Sequence, residues 1–258
     1  MLMSGSTWES WRPIPILKIM ELTEELKIQI EEWNRSLKDK SAREVIAFFL
    51  DHFGDKILLS TSLGVEDQVL TEMVLSQNQD VDVFTLDTGR LFPETYDLIA
   101  RTNKHFGIRM KTYFPEAEKV EEMVAAHGVN LFYDGVDKRK MCCGIRKVAQ
   151  LPRAFEGMDA WICGLRKDQS VSRFFNHMIE WDDNNKLVKI NPLINWTEKE
   201  VWAYIKEQKI PYNLLHDRGF PSIGCEPCTR AIEPGEDVRS GRWWWESELH
   251  KECGLHKR

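Results

Sequence analysis

Apolar residues recur at Leu26, Ile30, Trp33 and Leu37, the three-to-four spacing of a helix with one buried face, which predicts a helix over 23–37. Ser41-x-x-Glu44 is a capping box opening a second helix through Phe53, and Gly54 suits its C-terminal cap. Residues 56–60 then read as a buried strand, followed by a turn at Gly64 and a helix from about Glu66. The same unit follows again. Residues 82–86 read as a strand and Asp87-Thr88-Gly89 as a loop. Pro93 suits the first turn of a helix running to Phe106, where Gly107 ends it. Residues 108–113 read as a strand, 116–127 as a helix closed by Gly128, 138–151 as a helix and 160–163 as a strand. Thr197-x-x-Glu200 caps a last helix through about Gln208. Strands alternating with helices predict an α/β fold, a mostly parallel central sheet flanked by crossover helices.

The organisation along the chain is simple. Residues 1–22 form an irregular arm with Trp8, Trp11, Pro13 and Pro15, 23–218 an α/β domain, and 219–258 a C-terminal segment. That segment carries glycine, proline and charge without periodicity, so it is expected to cover a site rather than build a second core. A chain of 258 residues buries roughly 70–75% of its unfolded surface, and needs no disulfide or metal merely to own a core. Hydrophobic residues at 42% and charged residues at 29% argue against disorder. No apolar run approaches the ~18 residues of a membrane span, and the N-terminus does not read as a secretory signal. The net charge of −6 does not recruit nucleic acid or an acidic membrane. A cytoplasmic protein is expected. In that setting six cysteines are read as ligands or nucleophiles, not as a disulfide framework.

Ser60-Thr61-Ser62-Leu63-Gly64 lies between a strand and a helix, where free backbone N–H groups and small hydroxyls suit a phosphate or sulfate. Taken alone, the loop is read as an ordinary capped turn, and Glu66 and Asp67 would repel an anion beside them. Asp87-Thr88-Gly89 sits at the carboxyl end of the next strand, the edge where open α/β sheets bind ligands. Cys142-Cys143 and Cys225-x-x-Cys228 together supply four thiolates, enough for shared metal ligation. Spacing does not choose between zinc and an iron–sulfur cluster. Cys163, in an apolar strand, is read as plain core. Cys253 has lysine and histidine neighbours that favour the thiolate, the nucleophilic form. Lys138, Arg139 and Lys140 are read as a solvated face. Arg146 and Lys147, one turn after the cysteine pair, are placed to offset thiolate charge or hold an anion. Trp243-Trp244-Trp245 is read as an anchor for the C-terminal segment.

Taken together, these motifs resemble the sulfonucleotide reductases, in particular the branch that acts on adenylyl sulfate (APS). The resemblance spans roughly residues 57–256. It rests on Ser62-Leu63-Gly64-Val65-Glu66-Asp67, Thr85-Leu86-Asp87-Thr88-Gly89-Arg90-Leu91, Cys142-Cys143-Gly144-Ile145-Arg146-Lys147 and Gly164-Leu165-Arg166-Lys167-Asp168-Gln169-Ser170. Cys225-Glu226-Pro227-Cys228-Thr229-Arg230 and Glu252-Cys253-Gly254-Leu255-His256 complete it. It implies a fold like the adenine-nucleotide alpha-hydrolases, with a mobile C-terminal catalytic tail. It further implies a 4Fe–4S cluster on Cys142, Cys143, Cys225 and Cys228, and Cys253 as nucleophile. Lys147, Arg239, Arg242 and His256 match the family positions for charge stabilisation.

The substrate is then expected against Thr61, Ser62, Gly64 and Asp67, against Leu86, Asp87, Thr88 and Gly89, and against Gly164, Arg166 and Arg173. The implied reaction reduces APS to sulfite and AMP through an S-sulfocysteine, with thioredoxin or a glutaredoxin-like dithiol as reductant, in sulfate assimilation and cysteine biosynthesis. A homo-oligomer is expected. A PAPS or dual-specificity reductase, an ATP pyrophosphatase of the tRNA-thiolation kind and a metal-stapled nucleotide-binding module are the alternatives. The missing glycines of the first loop count against the pyrophosphatase.

Overall fold

In this computed structural model the described residues are 21–169 and 173–247. Most of the predicted arm, together with Ser170, Cys253 and His256, lies outside them. The chain runs α1 (Glu24–Ser36), α2 (Ala42–Phe53), β1 (Ile57–Ser60), α3 (Val65–Leu75), β2 (Asp82–Leu86), α4 (Pro93–Phe106), β3 (Lys111–Tyr113) and α5 (Ala117–His127). It continues through α6 (Val136–Arg146), α7 (Leu151–Ala154), β4 (Ala160–Ile162), β5 (Ile179–Asp182), β6 (Leu187–Ile190) and α8 (Glu198–Glu207). Local chemistry sets many of these bounds. Ser41 and Thr197 each close a reciprocal capping box, with Glu44 and Glu200. Gly107 ends α4 in the left-handed conformation at φ 69°, which a glycine adopts without steric cost.

The six strands lie in the order β3-β2-β1-β4-β6-β5. All pairings are parallel except β5 with β6. Alternate residues of each strand feed opposite layers. Ile57, Leu59, Val83, Ala160, Ile162, Val188 and Ile190 pack with Trp33, Ile46, Phe49, Val69 and Val201 from α1, α2, α3 and α8. Leu58, Phe84, Trp161 and Leu187 face the other way, onto Leu151 and Phe155. Burial on both faces explains why the central strands β1 and β4 read as continuous apolar runs. Phe49 is fully buried, and its truncation to alanine would cost about 3–5 kcal/mol.

The structure departs from the sequence expectation in five places. The antiparallel hairpin β5–β6 is not predicted. Its turn, Asp182-Asp183-Asn184-Asn185-Lys186, is closed by Asp182, which accepts from the amides of Asn184, Asn185 and Lys186. The strand expected over 108–113 shortens to Lys111–Tyr113. Asn103 at the end of α4 captures the Ile108 and Met110 amides that a ladder would need. The helix expected over 138–151 breaks at Lys147, whose φ and ψ are −133° and −62°. A separate short helix, α7, follows, with Pro152 in its first turn where no amide is needed. Arg139 is not solvated: its side chain is 1% exposed and paired with Glu246. Finally, the C-terminal segment, besides lining the cavity, contributes to a small second core. Cys228 and Trp243 pack with Met123, Leu131, Phe132 and Cys142. Trp243 thus anchors the segment, as its place in the tryptophan run suggests.

The strand order places β2 and β4 on opposite sides of β1. Their connections leave in opposite directions, so the carboxyl edges of β1 and β4 open a crevice.

Candidate active site

That crevice is a cavity of about 540 Å³, a size suited to a nucleotide-like ligand. Its walls come from the loops after β1, β2 and β4, from the end of α6, and from the segment 219–243.

The loop after β1 is shaped by its own side chains. Leu63 adopts φ 64° while its amide donates to Thr61 Oγ1 at 2.9 Å. The Asp67 carboxylate accepts from the Ser62 amide at 2.6 Å and from Ser62 Oγ at 2.7 Å. Thr61, Ser62 and Gly64 line the cavity, and the helix α3 begins just beyond them. Asp67 also lines it, but its Oδ2 is engaged by the loop. Burial, opposed by the Ser62 bonds, pushes its carboxyl pKa up. Glu66 does not stand as a bare charge either: Arg166 Nε donates to its Oε1 at 2.8 Å. The anticipated repulsion of an anion is therefore reduced by pairing Glu66 with Arg166 and by the two Ser62 donors on Asp67.

After β2, Leu86 and Thr88 line the cavity. Asp87 and Gly89 stand behind that wall. Asp87 Oδ1 instead accepts from the Gly89 amide at 2.7 Å and from the Tyr96 hydroxyl at 3.0 Å, and so builds the turn. Gly89 takes φ 71° there. After β4, Gly164 lies flat against Asp67, where a Cβ would collide with the carboxylate. Arg166 lines the cavity, and Arg173 reaches it beside Gln169, to which its Nη1 donates. Cys163 is buried as expected of core, though it also borders the cavity. Its Sγ donates to Asn191 Oδ1 at 3.0 Å.

The four paired cysteines meet at one end. Cys142 and Cys143 sit in the last turns of α6, where Lys147 leaves the helix and lines the cavity. Cys225 bridges to Leu91 across an antiparallel contact, and the Cys228 amide donates to Cys225 O at 3.0 Å. Cys225 Sγ lies 3.1 Å from Thr88 Oγ1. Burial raises the thiol pKa of Cys142 and of Cys228, and for Cys228 the other three cysteines add to it. Four soft donors facing one small apolar cluster fit a thiolate-ligated metal cluster. Among the described residues no three His, Cys, Asp or Glu converge tightly enough for a single ion.

Arg239 and Arg242 line the same cavity, while Cys253 and His256 lie outside the described residues. Three features escaped the sequence reading: the Arg139–Glu246 pair, the donation of Arg146 Nη1 to Thr88 O at 2.9 Å, and His216 in the cavity wall. Each depends on contacts across more than 50 residues or on burial, which motif spacing does not carry. No helix among the described residues is long and apolar enough to cross a membrane.

With this geometry in place, comparison with known proteins is informative. A family model described as the phosphoadenosine phosphosulfate reductase domain matches residues 56–231. Adenosine 5'-phosphosulfate reductase of Allochromatium vinosum is 52% identical over 204 residues, covering 79% of this chain and 80% of that protein. The crystal structure of phosphoadenylyl-sulfate (PAPS) reductase from Candida auris, a phosphate complex, is 30% identical with a TM-score of 0.69. The match covers 83% of this chain and 99% of that one. FMN adenylyltransferase of Candida glabrata, 16% identical with a TM-score of 0.52 over 91% of this chain and 79% of that one, shares the fold alone. The adenine-nucleotide alpha-hydrolase-like fold expected from the motifs is therefore present. The chain belongs to the phosphoadenosine phosphosulfate reductase domain family.

Proposed function

We propose that this protein reduces adenosine 5'-phosphosulfate to sulfite and AMP. The observation that carries the reading is the convergence on one cavity of three nucleotide-facing loops, four cysteines and several cations. The curated relatives named adenosine 5'-phosphosulfate reductase support APS as the substrate.

The nucleotide lies along the carboxyl edge of β1 and β4, with Leu86 and Gly164 against its base and ribose. Thr61, Ser62 and Gly64 face its phosphate. The Cys253 thiolate attacks the sulfur of APS, an S–S bond forms, the S–O bond to the phosphate breaks, and AMP leaves with the electron pair. Negative charge grows on the departing phosphate oxygen. Lys147, Arg239, Arg242 and His256 offset it, which is where fixed cations contribute most. A thioredoxin or similar dithiol then attacks Cys253 Sγ in the S-sulfocysteine and expels sulfite. Its second thiol resolves the mixed disulfide. Cys142, Cys143, Cys225 and Cys228 would hold a 4Fe–4S cluster, which when bound supplies a structural staple and a fixed charge beside Lys147. Sulfate assimilation in the cytoplasm is the setting that fits this chemistry.

The test is the intact mass of anaerobically purified protein mixed with APS in the absence of thiol, in parallel with Cys253→Ser. One added sulfonate on the parent and none on the variant supports the reading. No adduct on the parent overturns the S-sulfocysteine step. An adduct with PAPS and none with APS would shift the substrate to the 3'-phosphorylated nucleotide.

A further inference from the structure

Two guanidinium groups lie over one buried indole. Arg139 Cζ is 4.5 Å from the Trp243 ring centroid and Arg242 Cζ is 4.7 Å from it. Each is attracted by the ring face, and two like charges sharing one ring repel one another. The repulsion is relieved on one side only. Arg139 Nε and Nη2 donate to the two carboxylate oxygens of Glu246 at 3.0 and 2.7 Å, and both side chains are all but fully enclosed. Arg242 has no carboxylate partner among the described residues. Its Nη1 donates to Ile223 O at 3.2 Å, and Gly224 leaves the space its guanidinium fills, since a Cβ there would collide with it.

The backbone completes the mount. Trp243 is held at φ 43°, a conformation a non-glycine residue adopts only when its surroundings impose it. Its amide donates to Cys228 O at 3.2 Å and its carbonyl accepts from the Glu246 amide at 2.8 Å. An antiparallel bridge between Thr229 and Arg242 ties the same strip to the cysteine turn.

We infer that Glu246, Arg139 and Trp243 are positioning residues that hold the Arg242 guanidinium, with no carboxylate paired to it, at the wall of the substrate cavity. Glu246 fixes and neutralises Arg139, Arg139 and the backbone fix the indole, and the indole fixes Arg242 without consuming its charge. A planar fork held this way meets a phosphate or sulfonate oxygen without first being ordered. The inference rests on the assignment of Arg242 to anion stabilisation made above.

The experiment is a double-mutant cycle on the full chain, purified anaerobically, with APS and a dithiol. Glu246→Gln is made on the parent and on an Arg242→Ala background. The paired Arg139→Met and Glu246→Leu substitution is made on both as well, because it leaves no buried charge unpaired and keeps the volume filled. The expected result is a loss of about tenfold in kcat/KM on the parent and less than about twofold on the Arg242→Ala background. Equal losses on the two backgrounds, or no loss on the parent, overturn the inference, since the pair then acts as structure alone. Arg242→Ala as active as the parent would instead defeat the assignment of Arg242, and the inference with it. Should APS not turn over at all, AMP affinity by calorimetry is read across the same proteins against the same criterion of non-additivity.

Discussion

Arg166 Nε donates to Glu66 Oε1 at 2.8 Å across the crevice between β1 and β4, with side-chain exposures of only 5% and 12%. The pair joins the loop after β4 to the first turn of α3, and so fixes the two walls between which a nucleotide would lie. A buried pair of this kind is costly to break because the surviving charge has no water to replace its partner.

Glu66→Ala is therefore expected to lower unfolding stability by about 3–5 kcal/mol, whereas replacing both residues with apolar ones of similar volume recovers most of the loss. Urea midpoints of the three proteins decide this. A single variant within about 0.5 kcal/mol of the parent, the range of ordinary surface changes, would mean the pair does not hold the walls together.

Gly164→Ala should damage the same region by another route. Its methyl group would meet the Asp67 carboxylate and approach the Asp67 amide and Glu66 Cβ, none of which can move freely. Overpacking of this sort costs about 1–3 kcal/mol. Since the displaced groups shape the Ser62 loop, weaker AMP binding by calorimetry is expected alongside the lowered stability. Unchanged AMP affinity would place Gly164 outside the nucleotide's reach.

His216 gives the protein an acid-sensitive element. Burial holds its imidazole pKa below the usual value, against the pull of Glu66 and Asp217, and the Trp202 ring packs edge-on 5.3 Å away. The unfolded chain takes up a proton near pH 6.5, and the folded chain only at lower pH. Stability from this group is thus complete above that value and is lost as pH falls through it towards the folded pKa. Comparing urea unfolding at pH 7.5 and 5.5, His216→Phe should lose less than the parent. Identical losses would assign the acid limb to other groups.

Cys163 borders the cavity but is no rival nucleophile. Burial, with Asp67 and Glu180 adding to it and Lys189 opposing it, raises its thiol pKa to about 12. Almost no thiolate exists at neutral pH, and the thiol is the donor in its bond to Asn191. Alkylation of the native protein at pH 8, followed by peptide mapping, should leave Cys163 unmodified until the chain is unfolded. Rapid modification in the native state would count against this burial.

Much of this architecture was legible in the amino-acid order because the signals are local. The capping boxes at Ser41 and Thr197, the proline at position 93 and the glycines at 54, 107 and 128 act through neighbours a few residues away. The β5–β6 hairpin was missed although its Asp-Asp-Asn-Asn run carries turn chemistry. Two short strands around it gave too little pattern to stand out. Arg139 was misread for a deeper reason. A run of three cations looks solvated until a carboxylate 107 residues away closes over one of them.

The sequence by itself determined the alternation of strands and helices, the ends of the capped helices, and the set of chemically able side chains, since these follow from periodicity, backbone preferences and residue type. Only the tertiary structure decided which of them work as a group. It buried Asp87 to build a turn with Gly89, set Asp67 to hold Ser62, and brought Cys142 and Cys143 to face Cys225 and Cys228. Burial and long-range contact set the charge state, freedom and reach of a side chain, and both arise from packing between segments far apart in the chain.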